Sequence, residues 1–215
     1  MIPFLSFDYQ NNIIREDLIS SIKNIIDSNS YVLGQNVLSF EKKYSELSNV
    51  KYSIGVGSGL EALTIALRSL NIKSSDEVIV ASNAYVACWL SISSVGANIV
   101  PVEPNSDTFN IDPNLIEEKI TSRTKVIMPV HLYGQPCEMD KIMELSKRYN
   151  LFVVEDNAQS HLAKYNSIYT GSFGDINATS FYPTKNLGAI GEAGCITTSN
   201  KELQDYVKAY RNYGS

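Results

Sequence analysis

Cysteine and histidine are scarce in this chain, and their scarcity removes whole classes of chemistry. Three cysteines occur in 215 residues, Cys88, Cys137 and Cys195. An odd, widely spaced set is no disulfide framework, so the sequence points to a reducing compartment and a cytoplasmic protein. The two histidines, His131 and His161, have no cysteine or histidine at metal-ligand spacing, so no metal site is expected. No apolar run approaches the ~18 residues that a membrane span requires. The opening MIPFLSFDYQNN lacks the basic start and long apolar stretch of a signal peptide. Positive charge is thin and dispersed, with a net charge of −5 and no basic stripe, so nucleic acid is not an expected partner.

Apolar residues make up 44% and charged residues 19% of the chain, the balance of a folded protein long enough for a sizeable core. Leu18, Ile22 and Ile25 recur at helical spacing in REDLISSIKNIIDSN, and GQNVLSFEKKYSELSN reads as a second helix. Strands and helices then alternate. KYSIGV precedes GLEALTIALRSL, in which Leu60, Leu63, Leu67 and Leu70 form one stripe. DEVIVAS precedes the helical NAYVACWLSISSVG, NIVPVE leads to DPNLIEEKI, and TKVIMPV leads to CEMDKIMELSKRYN. LFVVED and INATSFY follow, and CITTS precedes the closing helix KELQDYVKAYRNYG. Short β-branched strands separated by helices predict an α/β domain with a mainly parallel sheet and helices on both faces. Ligands of such sheets bind where the strands' C-terminal ends gather on one edge.

Several familiar sites are excluded at that edge. GVGSGL has Leu60 where a dinucleotide fingerprint needs its third glycine, and it lacks the Gly-Lys-Ser/Thr ending of a P-loop. Val56 stands where a hydrolase elbow would need glycine. Gly57, Ser58 and Gly59 turn into a helix whose free N–H groups suit a phosphate, although a plain turn and N-cap would look the same. Tyr85 lies just past a strand, either packed as core or laid over a planar ligand. VVEDNAQSH ends an apolar strand in Glu155 and Asp156, either an N-cap or a charge facing the site. Lys185 stands two residues beyond Pro183 in SFYPTKN, where a lysine is ordinarily a plain surface residue.

One cofactor fits these pieces together. Pyridoxal 5'-phosphate needs an amine for its aldehyde, an acid opposite its ring nitrogen, a phosphate cup and a stacking face. Lys185 would supply the amine, Asp156 the acid, and the Gly57–Gly59 turn with the Ser180 hydroxyl the cup. The order GVGSGLEAL, NAYVA, PVHLYGQ, VVEDNAQSH, GSFGD, SFYPTKNLGAIGEAGC and RNYGS resembles the DegT-type nucleotide-sugar aminotransferases, which have the aspartate-aminotransferase fold. The likeness runs from IPFLSFDYQ to the last residue. It implies that Lys185 is the Schiff-base lysine, Asp156 the pyridinium partner and Ser180 a phosphate ligand. It also implies that Gln159 sits by the phenolic oxygen, that Tyr85 stacks on the ring, and that Gly57, Ser58 and Gly59 give amides to the phosphate.

Two local departures, Asn157 where the family usually has alanine and Leu162 where it has glycine, are not expected to alter the chemistry. The family's chain continues beyond RNYGS into a small C-terminal domain. The expectation is therefore that residues 1–215 are the large domain with N-terminal helices and without that small domain. The implied reaction is transamination of a nucleoside-diphosphate-linked keto sugar, with glutamate as amino donor, in a homodimer. HLYGQPCEMD with IPFLSFDYQ is most similar to enzymes acting on dTDP-3-oxo-6-deoxyhexoses. Sugar dehydratases of the same family carry histidine in place of this lysine, so Lys185 argues against them. The competing expectation is a truncated, non-catalytic remnant serving at most as a binding module.

Overall fold

The computed structural model describes residues 2–214. The chain divides into two compact units, residues 1–40 and 41–215. In the first, α1 (Asp8–Ser28) begins earlier than the apolar spacing alone predicts, because Asp8 and its neighbours extend the helix by two turns toward the N-terminus. It ends at Asn29, whose left-handed backbone (φ 54°) returns its N–H to the Ile26 carbonyl, a standard helix stop. Helix α2 (Gln35–Leu47) spans the boundary between the units.

The second unit is a seven-stranded sheet. Its strands are β1 (Tyr52–Val56), β2 (Glu77–Ala81), β3 (Asn98–Val102), β4 (Thr124–Met128), β5 (Phe152–Asp156), β8 (Ile176–Ser180) and β9 (Gly194–Thr198). A separate hairpin joins β6 (Lys164–Tyr165) to β7 (Ile168–Tyr169). The sheet order is β1-β9-β8-β5-β4-β2-β3. Only β9 runs against its neighbours, pairing antiparallel with both β1 and β8, so the predicted mainly parallel sheet is present.

Side chains alternate across this sheet as the pleat requires. Val78 and Val80 of β2 face a core shared with Leu63 and Leu67 of α3 (Gly59–Ser69), Ile92 of α4 (Val86–Ser94) and Val207 of α6 (Lys201–Tyr210). Ile79 and Ala81 face the other way, onto Met139, Ile142 and Leu145 of α5 (Met139–Tyr149). Both faces are thus covered, which explains the apolar runs of the central strands β2, β4 and β5. Ile127 is fully buried, and truncating such a residue to alanine costs about 2–5 kcal/mol.

One local expectation is corrected and one element was not foreseen. DPNLIEEKI is not a helix but two 3-10 turns, Pro113–Leu115 and Glu117–Lys119. Asp112 Oδ1 accepts both the Asn114 N–H and its side-chain amide, and Ile120 returns to extended backbone, so only single turns fit. The β6–β7 hairpin has no apolar alternation to announce it; its two-residue loop places Asn166 and Ser167 at positive φ, the geometry that tight hairpins favour.

Candidate active site

The turn after β1 is built by a cap and by close packing. Ser58, in extended backbone, caps α3 by accepting the Glu61 N–H at 3.1 Å. Glu61 reaches back to accept the Gly57 N–H at 2.8 Å, a reciprocal arrangement like a capping box. A Cβ on Gly59 would lie 2.6 Å from the Ser180 Cβ, and one on Gly194 would lie 2.2 Å from the Ser58 carbonyl oxygen. Only glycine at these two positions lets the end of β8, the start of β9 and the turn close up together. The N–H groups of Gly59 and Leu60 open α3, where a helix has no internal acceptors and its dipole favours an anion. Gly57 departs from expectation: its N–H already serves Glu61, so the donors available to a phosphate begin at Ser58.

Strand β5 ends in two carboxylates that point to opposite faces. Glu155, fully buried, accepts the N–H groups of Gly171, Phe173 and Gly174 at 2.7–2.8 Å and faces His131 Nε2 at 2.9 Å. His131 Nδ1 in turn accepts the Cys137 N–H at 3.1 Å. Burial opposes a charge on this ring, while the Cys137 and Glu155 contacts pull its pKa up. With a peptide N–H aimed at Nδ1, the geometry favours the neutral ring, its Nε2 proton donated to Glu155. Glu155 is therefore a structural anchor for the 171–174 loop. Asp156 faces the other way, toward α4. Its Oδ1 accepts the Ala158 N–H at 2.9 Å and its Oδ2 accepts the Cys88 thiol at 3.0 Å.

Lys185 is half-buried in a loop that folds back on itself. Its N–H donates to the Tyr182 carbonyl, and the Ala189 N–H donates to the Phe181 carbonyl. A Cβ on Gly188 would lie 2.3 Å from the Pro183 carbonyl oxygen, so glycine is needed for that closure. The loop that carries Lys185 leaves the end of β8 (Ile176–Ser180), the strand whose Ala178 pairs with Asp156 of β5. Burial, with the Lys185 charge adding to it, holds the His161 pKa below its usual value. His161 Nε2 meets the Ser180 carbonyl at 3.0 Å.

The remaining predicted residues stand around this centre. Gln159 Oε1 accepts the Tyr133 N–H at 2.6 Å, which leaves the side-chain NH2 as its donor end. Tyr133 itself is held at φ 56°. Tyr85 is the N-cap residue of α4 and is 64% exposed. It is no core aromatic, which removes one of its two readings. Sequence reasoning did not find Cys88, His131 or Glu61 as members of this region; only Glu61, three residues after Ser58 in a capping-box pattern, carried a local signal. Among the described residues, no group of three or more His, Cys, Asp or Glu is placed to hold a metal ion. Among the same residues, no helix is long and apolar enough to cross a membrane.

A half-buried amine, a buried carboxylate, a helix N-terminus pressed against a serine and an exposed aromatic are the donor set that pyridoxal phosphate requires. The chain is 50% identical over 215 residues to the dTDP-3-amino-3,6-dideoxy-alpha-D-galactopyranose transaminase of Aneurinibacillus thermoaerophilus, covering 100% of this chain and 59% of that protein. Its fold matches Streptomyces venezuelae DesV, solved in complex with a ketimine intermediate, with a TM-score of 0.96 and 43% identity over 100% of this chain and 58% of that one. NtdA of Bacillus subtilis, solved with bound cofactor PMP, matches with a TM-score of 0.90 and 35% identity, covering 97% of this chain and 47% of that one. Other relatives carry UDP- or GDP-linked sugars in their names. The chain spans somewhat more than half the length of the curated relatives it matches. The sequence pattern of the DegT/DnrJ/EryC1/StrS aminotransferase family matches residues 12–215. The chain belongs to that family.

Proposed function

We propose that this chain is the cofactor-binding large domain of a pyridoxal-phosphate-dependent aminotransferase that aminates a nucleoside-diphosphate-linked keto sugar. The observation that carries this reading is the adjacency of two parallel strand ends: Asp156 on β5 pairs with Ala178 on β8, and Ser180, which ends β8, packs against the Gly59 turn and leads into the loop that bears Lys185. Carboxylate, hydroxyl and amine are thus carried by neighbouring strand ends and the loop that follows, where an open α/β sheet binds its ligands.

Pyridoxal phosphate, when bound, supplies a carbonyl that captures amines and a ring that accepts an electron pair. Lys185 would hold the cofactor through its Nζ and, once released, carry a proton at that nitrogen between donor and acceptor carbons. Asp156 would keep a proton on the ring nitrogen. The N–H groups of Ser58, Gly59 and Leu60 with the Ser180 hydroxyl would bind the phosphate, and the Gln159 NH2 would donate to the phenolic oxygen. Tyr85 would stack on the ring.

The 50% identity to the dTDP-3-amino-3,6-dideoxy-alpha-D-galactopyranose transaminase of Aneurinibacillus thermoaerophilus supports a dTDP-linked 3-oxo-6-deoxyhexose as the substrate; glutamate as amino donor and a homodimeric assembly complete the reading on the family resemblance alone. Three free, buried cysteines accord with work in a reducing cytoplasm. Lysine at position 185 favours amination over dehydration.

The test is direct. The protein is loaded with pyridoxal phosphate, reduced with borohydride and digested, and the labelled peptide is identified. Label at Lys185 is expected, whereas label at another lysine such as Lys164 would overturn the assignment. Supplied with glutamate, the loaded protein should convert dTDP-linked keto sugar faster than UDP- or GDP-linked ones, read as the amino sugar by mass spectrometry.

A further inference from the structure

We propose that Cys88 is a positioning residue for the ring-facing carboxylate, its thiol donating to Asp156 Oδ2 and clamping that side chain in the orientation the cofactor needs. This rests on the proposed function for what Asp156 faces, but the clamp itself is a property of the protein alone. The Asp156 carboxylate has two fixed donors, the Ala158 N–H on Oδ1 and the Cys88 thiol on Oδ2. One is local, two residues on. The other comes from α4, 68 positions away in sequence, and ties the end of β5 to the helix that carries Tyr85 at its N-cap.

Cys88 is held firmly enough to act this way. It is fully buried, its N–H donates to the Tyr85 carbonyl at 2.9 Å, and its carbonyl accepts the Ser91 hydroxyl at 2.7 Å. Burial first, and the neighbouring Asp156 charge second, push its pKa well above the usual thiol value, so the sulfur keeps the proton it donates. The thiol is a weak donor. It orients the carboxylate through one directed contact. A residue present only to fill space would have no need to point its donor at a buried anion. The other two thiols point at neutral backbone carbonyls, Cys137 at Val130 and Cys195 at Ile196.

That contrast supplies the experiment. Infrared spectra of the cofactor-free protein resolve S–H stretching bands, and Cys88→Ser identifies the band of Cys88 by its loss. The Cys88 band is expected at lower frequency than the other two and should shift upward in Asp156→Asn. A Cys88 band that coincides with the others and ignores Asp156→Asn would overturn the inference.

In the second arm, pyridoxal phosphate affinity is read from absorbance. Cys88→Ala, close in volume to serine but without a donor, should bind about tenfold more weakly. Cys88→Ser, which restores a donor, should fall within about threefold of the unaltered protein. Equal losses in both variants, with unchanged melting temperatures, would assign Cys88 to packing alone. Failure of the unaltered protein to take up cofactor would sink the proposed function, while the infrared arm still decides whether the clamp exists.

Discussion

Lys185→Ala removes an amine from a half-buried loop position outside the two apolar core clusters, so stability should change by no more than about 0.5 kcal/mol, while the borohydride-stable label disappears completely. Asp156→Asn keeps the shape and the Ala158 contact but removes the negative charge. Cofactor should remain attached through Lys185, with turnover falling far more than substrate affinity, as expected when an interaction strengthens only as the reaction proceeds. Near-normal turnover in the Asn variant would reduce Asp156 to a cap. Lys185, Asp156, Ser180 and Gln159 were legible as candidates because each sits at the end of a recognisable strand or a few residues beyond one. What was not legible was partnership. Glu155 and Asp156 look equivalent in the sequence, and only the strand's alternation sends one to His131 and the other to Cys88. Neither contact has a local signal, since each spans 24 or more positions.

The elements make a second kind of prediction. Gly59→Ala would push a methyl to 2.6 Å from the Ser180 Cβ and 3.2 Å from its Cα, overpacking that should cost about 1–3 kcal/mol and weaken cofactor binding together with stability. Gly191→Ala is the control, since a Cβ there meets nothing within 4 Å; its melting temperature should be unchanged or slightly raised. At the start of β2, Glu77 accepts the Thr121 hydroxyl at 2.5 Å and the Arg123 guanidinium. The Thr121 bond first, and Arg123 after it, hold its carboxyl below the usual range. A depressed folded-state pKa stabilises the fold above the unfolded value, and that contribution is lost as pH falls through the folded one. Glu77→Gln should therefore lower stability by a constant amount at neutral and alkaline pH and converge with the unaltered protein at acid pH, which flattens the acid side of the stability–pH curve measured by denaturant unfolding. All seven sheet strands were readable, β2, β3, β4 and β5 from their apolar runs and β1, β8 and β9 from short β-branched or aromatic stretches despite polar residues among them. Sheet order was not, and neither was the reversed direction of β9, since both are set by pairing between distant segments.

For the whole molecule, all three thiols are free and buried. Burial pushes Cys195 up to about 12, and Cys88 also lies well above the usual value. The folded protein should thus leave a thiol reagent almost unreacted at mildly alkaline pH, and release all three equivalents in denaturant. Rapid native reaction at any one of them would contradict the packing described. The place of β9 between β1 and β8 also governs when the sheet can be completed. Val56 pairs with Gly194 and Tyr52 with Thr198, partners about 140 residues apart, so the first strand closes a very long loop. On a ribosome adding roughly 5–20 residues per second, β1 waits on the order of ten seconds for its neighbour to be made. Through that interval the turn at Ser58 and Gly59 lacks the Gly194 backbone that later packs against it. A nascent chain arrested before residue 194 should therefore be open to protease at β1 and unable to retain pyridoxal phosphate, which makes competence for the cofactor one of the last events of synthesis for this unit.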